Sequence, residues 1–104
     1  MSVIETIKAQ INDNTILLYM KGEPAQPQCG FSAQAIQALQ ACGHPFGFVN
    51  ILENPDIRQA LPEYAKWPTF PQLWVKGELI GGCDIIVELF QEGQLQTILD
   101  EAMA

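Results

Sequence analysis

Cysteines, bases, histidine and long apolar runs are all scarce in this chain, and each scarcity excludes a class of protein. Three cysteines, at positions 29, 42 and 83, are too few and too unevenly placed for a disulfide framework. No C-x-x-C occurs, so a local two-thiol redox cycle is missing. One such chain cannot supply four thiolates to a metal or cluster, so further ligands would have to come from a second chain, from His44 or from a small-molecule thiol. Five bases against twelve acids leave a net charge of −7, which argues against a surface that tracks nucleic-acid phosphates. No apolar run approaches the roughly 18 residues of a membrane span. Glu5 and Lys8 interrupt the N-terminus where a secretory signal would need its apolar stretch. The expectation is a cytoplasmic protein that binds neither nucleic acid nor membrane.

What is present suffices for a core. With 48% apolar and 16% charged residues the chain is expected to fold, and its 104 residues suit one domain spanning 1–104. Ser2 and Glu5 form a capping box, and Val3, Ile4, Ile7 and Ile11 make one helical stripe that ends at Asn12-Asp13-Asn14. Thr15–Met20 is short and wholly apolar, the pattern of a central strand buried on both faces. A polar loop, Lys21–Gln28, leads into a helix marked by Phe31, Ala35, Ile36, Leu39 and Cys42 and stopped by Gly43. Phe46–Ile51 reads as a second strand, completing a βαβ unit. Asn54 and Pro55 open another helix, which Pro62 is expected to split into two short pieces. Leu73–Val75, the turn Lys76-Gly77 and Glu78–Ile80 read as a hairpin. Asp84 is expected to cap a final helix that Gly93 interrupts. A parallel pair joined to an antiparallel hairpin gives a four-stranded mixed α/β sheet with helices on both faces, a thioredoxin-like fold.

Cys29 is the sharpest chemical feature. It stands between a proline-containing loop and a helix, where unpaired N–H groups and the positive end of the helix dipole stabilise a thiolate. A buried core cysteine is the alternative, although the polar and small neighbours Gln28 and Gly30 favour a reachable sulfur. Ser32 occupies the place of a resolving cysteine and cannot close a disulfide; otherwise it is an ordinary first-turn residue. Pro71 precedes a strand, and a cis Phe70–Pro71 bond would leave the Phe70 backbone free to pair with an extended peptide. Gly81-Gly82-Cys83-Asp84 is either a simple hairpin-to-helix turn or an anion site, with Asp84 available to an ammonium group. Lys21 and Arg58 are either ligand contacts or solvated charges. His44 reads as a turn residue and Cys42 as core.

Three segments, Lys21-Gly22-x-Pro24-x-x-Pro27-x-Cys29-Gly30-Phe31-Ser32, Trp67-Pro68-Thr69-Phe70-Pro71 and Gly81-Gly82-Cys83-Asp84, together resemble the monothiol glutaredoxins of the CGFS type, over essentially the whole chain. The resemblance implies a glutathione site and a [2Fe–2S] cluster bridging two subunits. Each subunit would supply Cys29 and two glutathione molecules the remaining thiolates, with the protein a monomer when apo. It further implies that Lys21 and Arg58 contact glutathione carboxylates, that Phe70 pairs with the cysteinyl backbone, and that Cys83 and Asp84 hold the γ-glutamyl end. The partners it implies are apo iron–sulfur proteins and BolA-like proteins. A Cys29–Cys83 disulfide in the cluster-free protein is open at this point. Two functions compete: a cluster carrier, and a glutathione-dependent oxidoreductase that reduces protein–glutathione mixed disulfides through Cys29 alone. A non-catalytic interaction domain would leave the exposed thiol without a purpose.

Overall fold

The computed structural model describes residues 2–104. Helix α1 (Val3–Asp13) begins at Ser2, whose Oγ accepts the Glu5 N–H at 3.2 Å. Strand β1 (Ile16–Met20) follows and is buried along its whole length. Within the expected polar loop the chain folds a small antiparallel pair, β2 (Gly22–Glu23) with β3 (Gln26–Pro27). Gly22 has φ +95°, and a Cβ there would lie 2.7 Å from Gln26 O and Gln28 N, so this ribbon closes only around glycine.

Helix α2 (Gly30–Cys42) ends at Gly43 in the left-handed conformation. Strand β4 (Gly47–Asn50) leads into helix α3 (Pro55–Ala65), and β5 (Gln72–Val75) and β6 (Glu78–Gly81) form the hairpin. Lys76 and Gly77 both have positive φ, as the twist of a two-residue hairpin requires. Helices α4 (Cys83–Gln91) and α5 (Gln94–Met103) close the chain, separated at Gly93.

The sheet order is β4-β1-β5-β6, with β1 parallel to β4 and the other pairs antiparallel. Alternation along the strands sends side chains to two cores. Leu18, Met20, Leu73 and Val75 pack with Ile36, Leu39, Ile86, Leu95 and Leu99 on one face. Leu17, Tyr19 and Trp74 pack with Ile7, Ile11, Ile57 and Leu61 on the other. The thioredoxin-like fold is as the element order implied.

Two local expectations are corrected. Helix α3 is not split: Pro62 lies inside a continuous helix. The proline forfeits one backbone bond and costs about 3 kcal/mol relative to alanine. Burial of Ile57 and Leu61 against α1 and Trp74 offsets this, because a break would expose both. Nor does Asp84 cap α4. Gly82 is the N-cap and Asp84 lies in the first turn, where its charge suits the positive end of the helix.

Candidate functional site

Above the ends of β1 and β5 the loops open a cleft of about 520 Å³, lined by Lys21, Arg58, Trp67, Phe70, Cys83 and Asp84 among others. The chain reaches it from five places: the end of β1, the first turns of α2 and α3, the segment before β5, and the start of α4. Five of the six residues singled out in the sequence, Lys21, Arg58, Phe70, Cys83 and Asp84, thus meet on one wall system. The sixth, Cys29, stands at its edge, two residues before the lining Phe31 and within electrostatic range of Lys21 and Cys83.

Cys29 is the N-cap of α2 and is half-buried. No full capping bond closes on its sulfur, but the nearby N–H of Ser32, foremost, and that of Phe31 hold the thiol below its ordinary pKa. Lys21 and the Ser32 hydroxyl add to this, against an opposing effect of burial that is second only to the Ser32 N–H in size. Cys83, at the first position of α4, is 8% exposed and its thiol is pushed up, by burial first and then by the charges of Asp84 and Cys29. Its sulfur donates to Gln34 Oε1 at 3.4 Å.

The cleft's charges are free. Among the described residues the one ion pair is His44–Asp100, remote from the cleft, so Lys21, Arg58 and Asp84 have no partner within salt-bridge range. At the start of α4 the first intrahelical bond is Ile86 N–H to Gly82 O at 2.9 Å, which leaves the N–H groups of Cys83 and Asp84 outside the helical ladder. Gly82 admits Trp67 beneath it, since a Cβ there would lie 3.2 Å from Trp67 Nε1. The Phe70–Pro71 bond is cis, and Phe70 precedes the β5 ladder.

Two residues that hold the site were missed or undervalued by sequence reasoning. Ser32 is fully buried, and its Oγ accepts the Lys21 N–H at 3.1 Å, tying the end of β1 to the thiol's helix. Asn50 Oδ1 accepts both the Gly22 and Leu52 N–H groups at 3.0 Å, anchoring the ribbon that follows Lys21. An asparagine ending a strand is too ordinary a signal to have marked it. The structure leaves Cys42 and His44 outside the cleft. Cys42 is buried in the α2/α5 core, where burial raises its thiol pKa, and His44 Nε2 lies 2.5 Å from Asp100 Oδ1.

The glutaredoxin family model matches residues 16–80. Glutaredoxin 4 of Escherichia coli K12 is 63% identical over 103 residues, covering 99% of this chain and 90% of that protein. Glutaredoxin 4 of Haemophilus ducreyi is 65% identical over 101 residues, covering 97% and 94%. Among solved structures, reduced apo GrxS14 of poplar superposes with a TM-score of 0.83 at 46% identity, covering 97% and 93%. With Cys29-Gly30-Phe31-Ser32 at the start of α2 and no second thiol at position 32, the chain belongs to the glutaredoxin family as a monothiol member of the CGFS type.

Proposed function

We propose that this glutaredoxin binds glutathione in the cleft and carries a [2Fe–2S] cluster between two copies of itself, delivering it to apo iron–sulfur proteins. The observation that carries the reading is the pairing of an activated, reachable thiol with a cleft whose two cations and one carboxylate are unpartnered. Glutathione is a zwitterionic tripeptide with two carboxylates and one ammonium group. Lys21 and Arg58 suit the carboxylates, Asp84 suits the ammonium, and the free N–H groups at the start of α4 suit the γ-glutamyl carboxylate. The Phe70 backbone is the partner for its cysteinyl unit. Bound in this way, glutathione would bring its thiol toward Cys29.

The donor set fits a shared cluster. Among the described residues no group of three or more metal-binding side chains occurs, and Cys83 and Cys42 are both buried. Each chain therefore offers one thiolate, Cys29, and two glutathione thiols complete four ligands across a homodimer. The cluster-free protein would be a monomer. BolA-like proteins are partners in this reading because they would offer a ligand in exchange.

The lowered pKa of Cys29 favours a second reading, the reduction of protein–glutathione mixed disulfides. The Cys29 thiolate attacks the glutathione sulfur and releases the protein thiolate, and a second glutathione then attacks the Cys29–glutathione disulfide, freeing Cys29 and leaving glutathione disulfide. Anaerobic reconstitution with and without glutathione, on wild type and Cys29→Ser, separates the two readings. Visible absorption, circular dichroism and sizing are expected to show a coloured dimer only when Cys29 and glutathione are both present. A colourless monomer in every condition that still turns over a glutathionylated substrate would replace the carrier by the oxidoreductase.

A further inference from the structure

Among the described residues two polar side chains are fully buried, Ser32 and Gln72, and both bind the backbone of cleft segments. The role of Gln72 goes beyond the family signature residues. It opens β5 and shares a strand face with Trp74, so its side chain points into the core formed by α1, α3 and the sheet. An apolar residue would suit that face, because a buried amide is costly unless its hydrogen bonds are made.

They are made, and all of them are local. Nε2 donates to Trp67 O at 3.0 Å and to Thr69 O at 3.3 Å, and Oε1 accepts the Trp74 indole N–H at 3.3 Å. The network fixes the amide's orientation, since a flip would set Oε1 against two carbonyl oxygens and an amide N–H against the indole N–H. Trp67, Pro68, Thr69 and Phe70 are consecutive and all line the cleft. One side chain thus ties this wall to the sheet from behind, at two carbonyls bracketing Pro68. The segment has no secondary structure of its own to hold it.

We propose that Gln72 is a positioning residue for ligand binding: its amide holds the Trp67–Phe70 wall at the height at which the Phe70 backbone meets an extended thiol peptide. This rests on the glutathione reading of the cleft. Cys29 lies on other elements, so its titration is independent of Gln72.

The test compares Gln72→Met, Gln72→Glu and Leu99→Ala with wild type. Leu99 is buried in the opposite core, so its truncation destabilises the protein without touching the wall. Glutathione affinity is measured by calorimetry, melting by circular dichroism, and amide exchange is followed at Trp67, Thr69 and Phe70. Gln72→Met, which takes the amide donor from the Trp67 and Thr69 carbonyls and the acceptor from the buried Trp74 indole N–H, is expected to weaken glutathione binding about tenfold. It should also accelerate exchange at Thr69 and Phe70 and leave the Cys29 titration unchanged. Gln72→Glu, driven neutral by burial, donates one bond and should fall between wild type and Gln72→Met. If Gln72→Met does not fold, Gln72→Glu carries the same comparison.

Leu99→Ala should lower the melting temperature while keeping glutathione affinity within about twofold, as expected for independent sites. Affinity and exchange in the foldable Gln72 variant that match wild type would overturn the proposal. So would an equal loss of affinity in Leu99→Ala, which would trace the effect to stability. Wild type that binds no glutathione would sink the reading of the cleft instead, while the exchange measurement would still decide whether Gln72 holds the wall.

Discussion

Two cysteines stand at helix starts beside the same cleft, yet their thiols are driven in opposite directions. Cys29 is the N-cap of α2, half-exposed, with the Ser32 and Phe31 N–H groups and Lys21 around its sulfur, and its pKa is lowered. Cys83 is one position further into its helix, is 8% exposed, donates to Gln34, and has Asp84 and Cys29 as its charged neighbours, and its pKa is raised. A helix start does not activate a thiol by itself. What matters is whether the sulfur occupies the cap, where the third-position N–H can reach it, and whether water and a cation reach it too. One cleft is thus bordered by one thiol whose ionisation is favoured and one whose ionisation is disfavoured. The second is suited to shape and to its backbone N–H rather than to sulfur chemistry.

The comparison can be broken at three points. The largest effect is expected from removing the sulfurs in turn and challenging the protein with glutathione disulfide. Cys29→Ser should abolish the mixed disulfide seen by mass spectrometry, whereas Cys83→Ser should still form it at a rate within about threefold of wild type, given the exposure and charge of Cys29. Next comes Ser32→Ala, which unpairs the Lys21 N–H. A loss of about 1–3 kcal/mol in denaturant unfolding is expected, together with a higher Cys29 midpoint. A variant as stable as wild type would show that the Ser32 hydroxyl is dispensable. The smallest effect is that of Lys21→Ala. Its charge is only one of several contributors, after both backbone donors, so the Cys29 midpoint should rise slightly, and less so as salt is added.

Most of the fold was legible because its signals are local and strong. The wholly apolar Thr15–Met20 run marked the central strand, the Lys76-Gly77 turn marked the hairpin, and Gly43 marked the end of α2. The errors arose where tertiary packing overrode a local rule. Pro62 is tolerated because Ile57 and Leu61 are anchored on either side of the turn before it. Asp84 yielded the cap position to Gly82, where a side chain would meet Trp67. The β2–β3 ribbon was unreadable in the sequence, since its two-residue strands carry no periodicity and its anchor, Asn50, is 28 residues away. The same distinction holds in the cleft. Side chains that face a ligand belong to recognisable motifs, whereas Ser32 and Asn50 act through backbone groups that only the fold brings near, and Gln72 acts from behind the wall on neighbouring carbonyls.

The most direct test of the central claim is a pH-resolved alkylation of wild-type protein, with each cysteine read separately by mass spectrometry. A group whose folded pKa is lowered is in its charged form from a lower pH upward. Cys29 should therefore gain reactivity with a midpoint below the ~8.5 of a free thiol. Cys83 and Cys42, both raised, should lag behind it and turn reactive only above that value or on unfolding. A Cys29 midpoint at or above that of a free thiol, or a Cys83 that titrates ahead of it, would contradict the account.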